Sequence, residues 1–194
     1  MNKLVVKKTQ IEMMLDRGYG GLSNELPLLE LDVGNKMVQK KYKKFPLNAI
    51  YVKGDHSLYV HYINLKKPIK SLEAAVHEGL NHDKVIIIGY DENKPNKSYV
   101  DILDKLGLIP VETFMYEDLM YNIIRHIGVP KHEKIKNFRI ASKDELPIIL
   151  MSDPVAKYYG WDNGDIIRIT RHYTELNLLS TTEYGYRMVK NHLL

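Results

Sequence analysis

SDPVAKYYGWDNGDIIRI, residues 152–169, decides the fold of the C-terminal part of this chain. Ser152 or Asp153 can accept backbone N–H bonds at the start of a short helix. Pro154 at its first position loses nothing by lacking an N–H of its own. Tyr158 and Tyr159 follow, and Gly160 supplies a left-handed stop. WDNGD then reads as a tight turn in which Asn163-Gly164 tolerates positive φ, and DIIRITR leaves it as a strand. Ile167 and Ile169 alternate with Arg168 and Thr170, which predicts one buried and one polar face. YGYRMV, Tyr184 to Val189, repeats that alternation as a second strand. Taken alone, these features describe a small β-rich module with firmly set turns.

Upstream, GVPKHEKIKNF from Gly128 marks a boundary, because Pro130 stops the preceding helical pattern and polar, basic residues follow. The reading is therefore two domains, residues 1–127 and 128–194. In the first, Thr9 is expected to cap a helix through Met13, Met14 and Leu15 that ends in DRGYGG. Gly20 to Lys44 reads as loop with one short helix. LNAIYVKG and LYVHYINL alternate around KGDHS as a hairpin. Ser71 opens a helical segment, and KVIIIGY is a strand apolar on both faces. DENKPNKS is a polar loop, YVDILDKLG a helix, IPVETFMY a strand and EDLMYNIIRHI a further helix. The fold class is α/β in the layered first domain, α+β overall, with a small mixed β-sheet and short helices in the second.

The chain has 194 residues, 44% hydrophobic and 27% charged, which suits folded domains. It has no cysteine, so disulfides and thiolate metal sites are excluded and an intracellular setting is expected. The longest uncharged apolar run, VIIIGY at Val85 to Tyr90, is too short to span a membrane. A secretory leader is not expected either, because charges interrupt the N-terminal apolar patch. The net charge of +4 is mild, but KMVQKKYKKF, Lys36 to Phe45, holds five lysines and no acid. That run reads either as a solvated loop or as a contact for a polyanion.

Catalytic equipment is sparse in the pattern. No glycine-rich phosphate loop follows a predicted strand, and no serine sits in a GxSxG turn. His126 and His132 flank Pro130, a spacing that suits a surface or linker role better than a metal site. A metal-dependent nuclease needs a Glu-x-Lys triplet along a strand, and the match at Glu92-Asn93-Lys94 falls in a loop before Pro95. No catalytic residue and no metal ligand is assigned.

LPIILMSDPVAKYYGWDNGDIIRITR followed by YGYRMV resembles the C-terminal assembly domain of the fifth-subunit family of eukaryotic DNA-directed RNA polymerases. The small assembly subunit of archaeal RNA polymerases is similar to it. Leu146-Pro147, Asp153 to Gly160, Gly164 to Ile169 and Tyr186-Arg187 carry the family pattern in register. RHIGVPKHEKI resembles the family's linker at His126, Val129, Pro130 and His132. DRGY at Asp16 to Tyr19 resembles the end of the eukaryotic first helix, and VIIIGYDENKPNKS the strand and Pro-containing loop of the N-terminal jaw domain. The departures fall between Gly20 and Leu65, in the longer connection HYTELNLLSTTEYG, and in the trailing KNHLL.

The resemblance implies a noncatalytic subunit that docks on the largest polymerase subunit through its C-terminal domain. It also implies that the N-terminal domain forms part of the lower jaw beside downstream double-stranded DNA. Asp153, Pro154, Tyr158, Tyr159, Gly160, Arg168, Arg171, Tyr186 and Arg187 are the candidates for the partner surface, since Tyr and Arg dominate contact energies. Lys94, Pro95 and Lys97 are the candidates for DNA contact, directed at phosphates and indifferent to sequence. No cofactor is expected on this chain, the magnesium and zinc of such a complex belonging to other subunits. Neither a membrane nor a small-molecule substrate is expected. Richness in Lys, Asn, Ile and Tyr with a divergent N-terminal half suggests a version encoded by a large DNA virus. That would place it in cytoplasmic viral factories and virions, as against the nucleus for a cellular version. A free-standing DNA-binding or assembly factor reusing the fold is the alternative, with a nuclease behind it.

Overall fold

The computed structural model describes residues 3–64, 74–75, 77–90, 110–136, 138, 145–174 and 180–191. The chain divides into two compact units, Met1–Tyr121 and Asn122–Leu194. The division falls upstream of the expected boundary at Gly128. Asn122 opens the second unit because its amide donates to the Tyr158 hydroxyl at 3.0 Å, and Ile124 and Val129 pack on that unit's core.

In the first unit, helix α1 spans Lys3–Asp16. It starts well before the expected cap: Thr9 is an interior residue, 5% exposed. No glycine or proline interrupts KLVVKKTQIEMML, so nothing stops the helix from beginning near the chain start. It ends where Gly18 takes φ 79° and the N–H groups of Arg17 and Tyr19 reach back to Met13 and Met14 carbonyls. Two short helices follow, α2 at Pro27–Glu30 and α3 at Lys36–Lys41. Asn35 caps α3 by accepting the Met37 N–H.

Strands β1 (Ala49–Lys53) and β2 (His56–Asn64) form the expected antiparallel hairpin, turning through Gly54 at φ 60°. Strand β3, Lys84–Tyr90, lies parallel to β2, and β4, Val111–Met115, lies parallel to β3, giving the order β1-β2-β3-β4. Val85 to Ile88 are buried on both faces, which explains their uninterrupted apolar run. Residues 74–75 and 77–79 are helical on the β2–β3 crossover. The segment EDLMYNIIRHI is not the α-helix expected. It forms two 3-10 turns, Tyr116–Leu119 and Ile123–Arg125. The Asp118 carboxylate accepts the Met115 N–H, and the Asn122 side chain accepts the Ile124 N–H, so each starts a separate turn.

The second unit contains β5 (Lys131–Lys134), β6 (Ile148–Leu150), helix α4 (Pro154–Tyr159), β7 (Ile166–Thr174) and β8 (Ser180–Lys190). The sheet order is β5-β7-β8-β6, with β6 parallel to β8 and the other pairs antiparallel. α4 packs on one face, where Ile149, Val155, Ala156, Trp161, Ile167 and Val189 form the core. Full burial of each larger aliphatic member contributes roughly 1.5–3 kcal/mol. Both units mix helices with parallel and antiparallel strands, the α+β arrangement expected.

Candidate functional site

The turns around α4 take the conformations their residues favour. Asp153 Oδ1 accepts the Val155 N–H at 2.8 Å, Pro154 occupies the first helical turn, and Gly160 closes the helix at φ 63° with its N–H returned to Ala156 and Lys157 carbonyls. Asp153, Pro154 and Gly160 thus shape the surface more than they present groups to it. Tyr158 is turned inward at 3% exposure, its hydroxyl accepting from Asn122. Tyr159 is half-buried and stacks on Trp161, with ring centroids 4.9 Å apart and planes 12° apart.

Sheet register sorts the remaining candidates onto two opposite faces, because directly opposed residues share a face and neighbours alternate. Ile167 faces Arg187, Ile169 faces Gly185 and His132, and Arg171 faces Glu183. Arg171 and Arg187 therefore lie on the α4 side. The His132 ring lies there too, 6.2 Å from the Trp161 ring, with its Nδ1–H donating to the Pro130 carbonyl at 2.6 Å. Burial pulls the His132 pKa below its usual value. The Pro130 hydrogen bond and Asp153 oppose that shift, and Arg171 and Arg187 add to it.

Arg168 faces Tyr186 and Glu133 across the other side of the sheet. Its Nη2 donates to Glu133 Oε2 at 2.7 Å, and the guanidinium lies 5.6 Å from the centre of the exposed Tyr184 ring. Tyr186 lies against Phe138 with centroids 4.8 Å apart. Hydrogen bonds from Lys131 and Arg168 hold the Glu133 carboxyl well down, at about 2. This face is not purely polar, since Ile166, Thr170 and Met188 are buried on it. The nine partner candidates thus do not form one patch. Four build or fill the α4 corner, Tyr159 covers the core beside it, and the other four divide between two faces.

Glu133, Tyr184 and Trp161 escaped the sequence reading. Glu133 sits in the charged tetrapeptide Lys131–Lys134, which reads as linker because an edge strand this short needs no apolar residue. Tyr184 and Trp161 bracket recognisable motifs, and nothing in the linear pattern shows which ring or cation each meets. Lys94, Pro95 and Lys97 lie outside the described residues. Among the described residues no group of three His, Asp or Glu side chains could hold a metal, and no helix is long and apolar enough to cross a membrane.

Residues 121–189 match the family model described as RNA polymerase Rpb5, C-terminal domain. The chain is 26% identical to DNA-directed RNA polymerase subunit 5-like protein 1 of Arabidopsis thaliana, covering 94% of this chain and 92% of that protein. It is 28% identical to subunit RPABC1 of DNA-directed RNA polymerases I, II and III of Caenorhabditis elegans, over 86% of this chain and 87% of that one. The corresponding protein of Dictyostelium discoideum is 25% identical, over 88% and 91%.

Proposed function

We infer, from the match of residues 121–189 to the RNA polymerase Rpb5 C-terminal domain model, that this chain is a noncatalytic subunit of a DNA-directed RNA polymerase. The family match carries the reading, and similarity to fifth subunits extends over most of the chain. The C-terminal unit docks on the largest subunit. Its rigid α4 corner supports that role, as do two faces bearing Arg and Tyr side chains, the residue types that most often anchor interfaces. Arg171 and Arg187 lie on one face and Arg168 with Tyr186 on the other, and the largest subunit grips one of the two. The first unit forms part of the lower jaw, where Lys94, Pro95 and Lys97 approach downstream duplex DNA through phosphate contacts. The chain itself holds no cofactor, and magnesium and zinc reside on other subunits. Its composition and divergent first unit support an origin in a large DNA virus, with work in cytoplasmic factories and packaging in virions.

The test is co-purification. The tagged chain is recovered from its native setting after DNase treatment and a high-salt wash, and the bound proteins are identified by mass spectrometry. Both large polymerase subunits should be retained in equal amounts, and the double variant Arg168→Glu, Arg187→Glu should lose them while still folding. Recovery of the chain alone would overturn the reading in favour of a free-standing factor.

A further inference from the structure

The run Lys36 to Phe45, left open between solvated loop and polyanion contact, borders a cleft in the first unit. The cleft, of about 250 Å³, lies between the start of α1 and the end of α3. Leu4, Tyr42, Phe45 and Leu47 supply its apolar wall, and Lys3 and Lys43 stand at its rim. The Tyr42 and Phe45 rings are 6.2 Å apart, and Lys41 Nζ lies 5.5 Å from the Tyr42 ring centre.

The charges on this run differ from those of the ion-paired lysines elsewhere among the described residues. Lys7, Lys84, Lys131 and Lys134 each pair with a carboxylate. Lys36, Lys40, Lys41, Lys43 and Lys44 are all exposed, and among the described residues no carboxylate comes within ion-pair reach of them. Lys43 at the edge of an apolar recess, with four more exposed lysines on the same short run, favours an anionic occupant that also carries an apolar group.

Nucleic acid meets the first requirement but fits the recess poorly. A base in it would need partners for its edge donors and acceptors. The Gln39 Nε2 donor is already given to the Val33 and Gly34 carbonyls, at 3.2 and 3.0 Å. The leucines and Phe45 offer no such partner. An aliphatic or aromatic side chain fits the same wall with nothing left unpaired. We propose that this cleft is a docking site for an acidic peptide segment that buries one apolar side chain between Leu4, Phe45 and Leu47 while its carboxylates meet the Lys36–Lys44 cations. It requires only the isolated chain, so it stands or falls separately from polymerase assembly.

Fluorescence anisotropy on the full-length chain tests this with a short labelled peptide of Asp and Glu around a central Phe-Leu pair. Saturable binding that weakens as salt rises is expected. Replacing the Phe-Leu pair by Ser-Ser, or introducing Lys40→Glu with Lys43→Glu, should each weaken it about tenfold or more. Both lysines are exposed, so an unchanged circular dichroism melt should show that this variant folds. Absence of saturable binding, equal binding of the Ser-Ser peptide, insensitivity to the lysine reversal, or tighter binding of single- or double-stranded oligonucleotide would each overturn the proposal.

Discussion

Removing Glu25 should unfold the first unit far more readily than its sequence context suggests. Lys7 lies on α1 with 0% side-chain exposure, and its Nζ meets Glu25 Oε1 at 2.7 Å, the Leu47 carbonyl at 2.8 Å, Gln10 Oε1 at 2.9 Å and the Tyr51 hydroxyl at 3.1 Å. Tyr51, itself fully buried, donates to Glu25 Oε2 at 2.6 Å. Glu25→Leu strips a buried ammonium of its counter-ion and takes from a buried hydroxyl its shorter acceptor, leaving only Gln10 Oε1 at 3.3 Å. Orphaning one member of a buried pair costs about 3–5 kcal/mol. That is a large fraction of the roughly 5–15 kcal/mol that holds a domain folded, and corresponds to a fall in Tm on the order of 10–20 °C. Lys7→Met combined with Glu25→Gln removes both charges, keeps an acceptor for Tyr51, and should recover most of the loss.

The pH dependence gives an independent sign. Burial holds the Lys7 ammonium below its usual range, outweighing the upward pull of Glu25. The unfolded chain therefore binds this proton more tightly, so stability rises as pH climbs from the folded pKa toward about 10.4. Without Glu25 that rise should steepen, to at most about 1.4 kcal/mol per pH unit. Urea unfolding by circular dichroism between neutral and alkaline pH measures it, with fluorescence of the single Trp161 following the second unit. A cost for Glu25→Leu below about 1 kcal/mol, or a double variant no better than the single one, would show that the Lys7–Glu25 pair does not hold the first unit together.

Two further outcomes concern the second unit. Gly160→Ala should cost about 1–2 kcal/mol, because φ 63° places the new Cβ against the carbonyl, and Asp153→Ala about 1 kcal/mol through the lost cap. Shifts in the Trp161 fluorescence melt measure both. Glu133, with its pKa held at about 2, contributes stability that is present above the ordinary glutamate value and lost as pH falls from 4.5 toward 2. Acid titration of Glu133→Gln should therefore lack the part of the acid-limb loss that the native protein shows there. Identical acid limbs would show that solvent screens the Arg168–Glu133 pair completely.

What could be read from the sequence was whatever short-range geometry dictates. Asp153 and Gly160 declare their roles at the two ends of a six-residue helix, and the hairpin from Ala49 to Asn64 follows from alternation and a tight turn. Val85 to Ile88 likewise announce a strand covered on both sides. The failures lie where distant partners or competing caps decide. Nothing near Lys7 in sequence shows that it will be buried, since its counter-ion arrives from Glu25 and its roof from Tyr51. EDLMYNIIRHI has helical periodicity, yet Asp118 and Asn122 each bind a nearby backbone N–H and break it into turns.

The same distinction governs the candidate partner surface. Alternation on β7 and β8 predicts two faces, but which cation stands with which ring depends on register, and register is set by pairings over ten or more residues. Arg168 thus meets Tyr184 and Glu133, while Arg187 stands across the sheet on the His132 side. A partner gripping only one face would leave the other arginine available, so the single variants Arg168→Glu and Arg187→Glu should differ sharply in retention of the large subunits. Equal loss from both would mean that the bound surface wraps the sheet edge and engages both faces at once.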